Sequence, residues 1–322
     1  GYVRSVAFNS VGMLASASDD HTIKLWDIST MNCVGTLEGH TDGVLSVAFN
    51  KDGLLASASH DNTIKLWDVD TKQCVMTLKG HTSYVNSVAF NTSGMLASGS
   101  IDKTIKLWDI STMNCVGTLE GHTSYVCSVA FNGAGMLASG SADSTIKLWD
   151  TSTMSCVGTL EGHTRSVYSV AFNNDGMLAS GSWDNTIKLW DTSTMTCVKT
   201  LEGHTDYVSS VAFNGAGMLA SGSYDKTIKL WDTSTMNCVK TLKGHTNYVW
   251  SVAFNGAGML ASGSGDKTIK LWDISTMTCV GTLEGHHDAI LSVAFNTYGM
   301  LASGGWDKTI NLTRIYTKKF IN

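Results

Sequence analysis

The sequence predicts an all-β protein assembled from eight copies of one four-stranded antiparallel unit, and three observations predict it. Gly-His recurs with its His at 40, 81, 122, 163, 204, 245 and 286, and Leu-Trp-Asp with its Trp at 26, 67, 108, 149, 190, 231 and 272, both 41 residues apart. A Ser-Val-Ala-Phe block appears eight times, with Phe at 8, 49, 90, 131, 172, 213, 254 and 295. No unit carries the 3.6-residue apolar period of a helix, and the 322-residue chain contains no Pro.

The unit that starts at His204 shows how each element arises. "YVSSVAF" is rich in Val and aromatic residues and predicts a first strand. "NGAG" then supplies a turn, with Asn at its first corner and Gly at its fourth. "MLASGS" reads as a second strand, and "YDKT" as a tight turn in which the Asp225 carboxylate caps backbone N–H groups. "IKLWD" is a third strand, "TSTMN" a loop and "CVKTL" a fourth strand. One such sheet cannot bury both of its apolar faces, whereas sheets stacked around a ring cover one another.

With Gly-His, the turn Asp and Trp-Asp all at fixed offsets, the chain resembles the WD40 β-propeller family over essentially its whole length. The first unit departs by lacking its Gly-His, the last reads Leu312, Thr313 and Arg314 where Leu-Trp-Asp should stand, and Pro is missing from the first turn. The resemblance implies one domain over residues 1–322, a propeller of eight repeats of 41 residues that forms part of a longer chain. Rings of this family most often have seven blades. Eight is expected here, because every unit carries the same apolar strands and a unit left outside would expose two hydrophobic faces. A seven-bladed ring with an extra or shared repeat is the alternative. Closure is expected to be weakest at Phe320–Asn322, which align with the start of a fourth strand.

The resemblance also implies a buried hydrogen-bonded chain through the fixed positions, here His204, Ser221, Asp225 and Trp231. An unsatisfied buried polar group costs about 1–3 kcal/mol, so such residues require one another. Ser, His and Asp are also the residue types of hydrolase triads. Seven copies of one constellation are the mark of a repeated structural bond, since an enzyme needs one, so no catalytic residue is assigned. There is no Gly-Lys dipeptide for a P-loop and no His-Glu pair for a zinc protease, and no cofactor or metal is expected. Seven of the eight Cys recur once per unit on the fourth strand, and no C-x-x-C exists. They are expected to be small apolar fillers in a reduced, cytoplasmic protein. Net charge is −5 with 22 Lys and Arg, and no apolar run approaches a membrane span of about 18 residues, so neither a nucleic acid nor a membrane is expected as partner.

Function is expected at the positions that differ between units. The units from His204 and His245 differ at seven of 41 places, which makes differences informative. Counting from the His, the third residue on is Tyr2, Gly43, Tyr84, Tyr125, Ser166, Tyr207, Tyr248 or Ala289. The fifth is Arg4, Leu45, Asn86, Cys127, Tyr168, Ser209, Trp250 or Leu291. The twentieth is Asp19, His60, Ile101, Ala142, Trp183, Tyr224, Gly265 or Trp306. All three Trp outside the third strands and seven of the nine Tyr fall at these offsets. The third and fifth residues share a side by the two-residue strand period, and the twentieth precedes the capping Asp. All three are therefore expected to converge on one end of the ring, where the resemblance places partner contacts.

The expected function is a non-catalytic scaffold binding a protein or peptide on an aromatic-rich, weakly charged face with isolated Arg4 and Arg165. The expected contacts are Tyr2, Arg4, Tyr84, Asn86, Tyr125, Tyr168, Trp183, Tyr207, Tyr224, Tyr248, Trp250 and Trp306. Near-identical repeats with a variable face resemble the sensor part of multidomain signalling receptors, which implies fusion to an upstream effector domain. A carbohydrate-binding, lectin-like propeller is the alternative, although Asp and Glu clusters that would bond sugar hydroxyls are lacking.

Overall fold

In the computed structural model, which describes residues 1–315, each unit folds into one antiparallel sheet whose strands lie in chain order, and the sheets form a closed ring of eight blades. The blades span 3–37, 44–78, 85–119, 126–160, 167–201, 208–242, 249–283 and 290–314, numbered 1 to 8 below. Blades 1 to 7 have four strands. Blade 8 has three among the described residues, and the expected fourth strand at Phe320–Asn322 lies outside them. In blade 6 the strands are Val208–Phe213, Met218–Ser223, Ile228–Asp232 and Asn237–Leu242. The turn after the first strand closes on an Asn, whose Asn214 Oδ1 accepts from the N–H groups of Ala216 at 2.8 Å and Met218 at 3.0 Å.

First strands line the central channel, each touching the first strands of both neighbouring blades. Every core cluster is shared across a seam. Between blades 5 and 6, Ile187, Leu189 and Leu201 meet Val208, Val211, Leu219 and Trp231. Blade 8 closes on blade 1 in the same way, with Met300 and Ala302 against Val3, Val6 and Leu14. At the seam of blades 6 and 7, a Cβ on Gly222 would lie 2.8 Å from Val249 Cγ1, so the absent side chain lets the sheets approach. A ring of hydrogen bonds, not anticipated from the sequence, runs around the channel: the first-strand Ser of each blade accepts from a Val N–H of the next. It starts with Val47 N–H to Ser5 Oγ at 3.4 Å and ends with Val6 N–H to Ser292 Oγ at 3.2 Å.

Each first strand also carries a bulge. In blade 6, Val208 pairs with Ser223 and Ser210 with Gly222, which leaves Ser209 unpaired. All eight first strands shift register at this place. The fifth-offset positions, from Arg4 to Leu291, are therefore bulge residues. The third-offset residues stand just before the strand, so strand alternation is not what orients the two sets. The bulge re-aims the fifth residue.

Candidate binding face

Antiparallel order brings the start of the first strand, the end of the second, the start of the third and the end of the fourth to one end of each blade. Two sets of bonds hold the chain there. In blade 6, His204 Nδ1–H donates to Asp225 Oδ2 at 2.7 Å, Ser221 Oγ–H to His204 Nε2 at 2.8 Å, and Trp231 Nε1–H to Ser221 Oγ at 2.9 Å. The full chain of four recurs in blades 2 to 7. Blade 8 has Thr313 at the Trp position, and the His position of blade 1 falls before Gly1. Burial opposes ionisation of Asp225, but hydrogen bonds from His204, Thr227 and the Thr205 N–H outweigh it and hold the carboxyl well below the usual aspartate range. Although the connectivity is that of a hydrolytic triad, Ser221 is 0% exposed and its oxygen already accepts the indole N–H, so no substrate reaches it.

The second set of bonds ties the variable offsets together. The turn N–H of Trp183 donates to Ser166 O at 3.0 Å, that of Tyr224 to Tyr207 O at 2.9 Å, and that of Trp306 to Ala289 O at 2.8 Å. Third- and twentieth-offset residues are thereby backbone neighbours in every blade, whatever their side chains.

Side chains at these places form one continuous arc. Ring centroids run from Tyr168 to Trp183 at 5.8 Å, Tyr207 at 5.0 Å, Tyr224 at 5.7 Å, Trp250 at 4.9 Å, Trp306 at 6.0 Å and Tyr2 at 5.8 Å. Tyr248 stacks on Tyr224 at 4.5 Å, and the Arg4 guanidinium caps the Tyr2 ring at 5.7 Å. The arc covers five consecutive blades, 5 to 8 and 1. Tyr2, Tyr168 and Tyr248 are 40–42% exposed, while Trp183, Tyr207, Tyr224, Trp250 and Trp306 are half-buried against one another. Burial, then the neighbouring Tyr168, Tyr248, Asp206 and Tyr207, pushes the Tyr224 hydroxyl above the ordinary phenol range, so it stays a donor.

The remaining positions lie outside the arc. Tyr84 is 43% exposed and packs at a tilt against His60, ring centroids 4.4 Å apart, across blades 2 and 3. Tyr125 in blade 4 is equally exposed and touches no aromatic ring among the described residues. Asn86 spans a seam, its Nδ2–H donating to Val126 O at 2.9 Å.

Two expectations require correction. Arg4 is not isolated: its Nε and a terminal nitrogen bond both Asp19 oxygens at 2.6–3.0 Å, and Asp19 occupies the twentieth offset of blade 1. Arg165 likewise donates to the Tyr207 hydroxyl at 3.2 Å. The fourth-strand thiols of Cys33, Cys74, Cys115, Cys156, Cys197, Cys238 and Cys279 are exposed on the outer rim, because no further sheet covers that strand, and fill no core.

The family model described as "WD domain, G-beta repeat" matches residues 1–27, 31–68, 72–109, 113–150, 154–191, 195–232, 236–273 and 277–313. Coatomer subunits beta'-1 and beta'-2 of Arabidopsis thaliana are each 61% identical over 31 residues, which is 10% of this chain and only 3% of theirs. The crystal structure of the computationally designed Ika8 protein superposes with a TM-score of 0.89 at 32% identity, covering 98% of this chain and 96% of that one.

Proposed function

The chain belongs to the WD40 repeat family, and on that premise we propose that it is a non-catalytic scaffold binding a protein or peptide on the aromatic face of blades 5 to 8 and 1. One observation carries the reading. The chain's most variable positions hold all three Trp outside the third strands, and these join five Tyr in an unbroken line of exposed and half-buried rings. Exposed sites that merely drift accumulate polar residues. Large rigid aromatics with one polar end are the side chains that concentrate binding energy at protein interfaces.

The test is affinity selection from a displayed peptide library, with the intact chain against a variant carrying Trp183→Ala, Tyr207→Ala and Trp250→Ala. Selected peptides should lose capture on the variant, while its circular dichroism spectrum and melting temperature stay close to the parent's. Peptides that bind both proteins alike would place the site elsewhere. Collapse of the variant would show that those rings are core.

A further inference from the structure

We propose that the seam between blades 7 and 8 holds a binding slot for free indole, a flat heteroaromatic ring with one N–H. The slot is separate from the aromatic arc, and none of its lining residues belongs to that face.

One residue of the sequence opens it. Thr313 stands where blades 2 to 7 have Trp67, Trp108, Trp149, Trp190, Trp231 and Trp272, and it pairs with Leu301 as Trp231 pairs with Leu219. Those six indoles are 1–2% exposed, each sealed between its own blade and the one before. Thr313 is half-buried, and no aromatic ring from the third strand of blade 8 enters the core of this seam. The opposite wall records the difference. Leu283, at the end of the fourth strand of blade 7, is half-buried, whereas its six counterparts from Leu37 to Leu242 are 1–2% exposed. A Cβ on Gly39, Gly162 or Gly244 would lie 3.5–3.8 Å from the indole Cη2 of the next blade, but on Gly285 it would meet only Asn311 Nδ2 within 4 Å. A groove of about 380 Å³ opens here, lined by Ile269, Leu283, Glu284, Gly285, Asn311 and Thr313, and it continues round the third strand to Trp26.

Hydrogen-bonding capacity selects the ring. In blade 6 the Ser221 oxygen accepts the indole N–H at 2.9 Å while its hydrogen goes to His204 Nε2. Ser303 keeps the second of these bonds, to His286 Nε2 at 2.8 Å, and is 0% exposed. No N–H reaches its oxygen among the described residues. An enclosed acceptor of this kind favours a ligand that brings an N–H on one edge. The apolar walls of Ile269 and Leu283 favour a flat ring, as cavities of aliphatic side chains take up small aromatics. Attachment decides between a free ring and the tryptophan side chain of a partner. Elsewhere each indole hangs from the third strand by its C3 atom, so in the same pose that edge abuts Thr313 and leaves no room for a chain. A ring tethered through C3 to another polypeptide would have to enter turned round, and would lose the pose that brings its N–H to Ser303.

The experiment uses the whole chain and 6-fluoroindole, whose fluorine replaces the hydrogen at the open, Gly285 end, read by fluorine NMR. Indole, 1-methylindole, 3-methylindole and N-acetyltryptophanamide serve as competitors. The probe should saturate with a Kd below about 1 mM, and indole should displace it. The two methylindoles should compete at least about fivefold more weakly, the first for want of an N–H and the second because its methyl meets Thr313. Thr313→Gly should tighten binding about fivefold by clearing the C3 edge, and Thr313→Trp should abolish it while raising the melting temperature. Absence of saturation, equal displacement by indole and 3-methylindole, or unchanged binding to folded Thr313→Trp would overturn the proposal. N-acetyltryptophanamide competing better than indole would assign the slot to a polypeptide side chain and overturn the free ring as its ligand. Should Thr313→Trp fail to fold, the methylindole comparison on the parent chain decides.

Discussion

Ser221→Ala should destabilise the ring far more than Ser16→Ala, although both remove the same hydroxyl from the same strand position. In blade 6, Ser221 Oγ is the sole partner of His204 Nε2 at 2.8 Å and of Trp231 Nε1 at 2.9 Å, in a site with no exposed atom of Ser221. The Ala variant leaves two enclosed nitrogens without partners. At about 1–3 kcal/mol for each unsatisfied buried group, the expected cost is about 2–6 kcal/mol. The His position of blade 1 falls before Gly1, and in the given sequence Ser16 Oγ accepts from Trp26 Nε1 alone, at 2.9 Å, while itself donating to Lys24 O at 3.4 Å. Trp26 is half-buried, so its freed N–H can turn to water, and the cost should stay near or below about 1 kcal/mol. Urea unfolding followed by Trp fluorescence, with unchanged m-values, reads the difference. Equal losses in the two variants, or a loss below about 0.5 kcal/mol for Ser221→Ala, would show that the hydrogen-bonded chain is ornament on a blade held by packing alone.

Acid should unfold the protein by way of the same network. The carboxyls of Asp61, Asp102, Asp143, Asp184, Asp225, Asp266 and Asp307 are held below the usual range, where hydrogen bonds from His, Thr and backbone N–H outweigh burial. Because the folded value lies below the unfolded one, their contribution is complete above about pH 4 and is lost as pH falls further, so circular dichroism melts should drop steeply only there. Native-state alkylation at pH 7.5, read by mass spectrometry, should add seven adducts quickly on the rim thiols. Cys127 should lag, since burial and then the Asp143 charge push its thiol up to about 12. Lys226 has a φ of 71°, a left-handed backbone that disfavours side chains, so Lys226→Gly should raise stability by about 0.5–1 kcal/mol in the same urea assay.

The repeat, the strand order and the convergence of three offsets at one end were legible because each depends on local pattern and period. The 41-residue spacing places Trp183, Tyr224 and Trp306 in equivalent turns without any coordinates. What the pattern could not carry is whatever depends on which blade stands beside which. Strand alternation would set Tyr168 beside a third-offset neighbour, yet Tyr168 sits on a bulge, a backbone irregularity without a residue signature, in a strand that elsewhere holds Leu, Asn, Cys, Ser, Trp or Arg there. The pairing of Arg4 with Asp19 joins two offsets that each looked independent. Ser5 and its seven counterparts read as ordinary polar strand residues, because their partner N–H belongs to the next unit. The rim thiols were misjudged because Cys is usually buried, and only the ring shows that fourth strands face water.

The Ser-to-Val link that joins blade 8 to blade 1 is chemically the same as those joining chain neighbours. Adjacency in this annulus is therefore written into each wedge rather than into the order of wedges along the polypeptide. Unequal recombination between such similar segments would insert or excise a wedge whose two flanks already match any other. The molecule can thus exchange the side chains it displays by shuffling whole units, while every joint around the circle stays as it was.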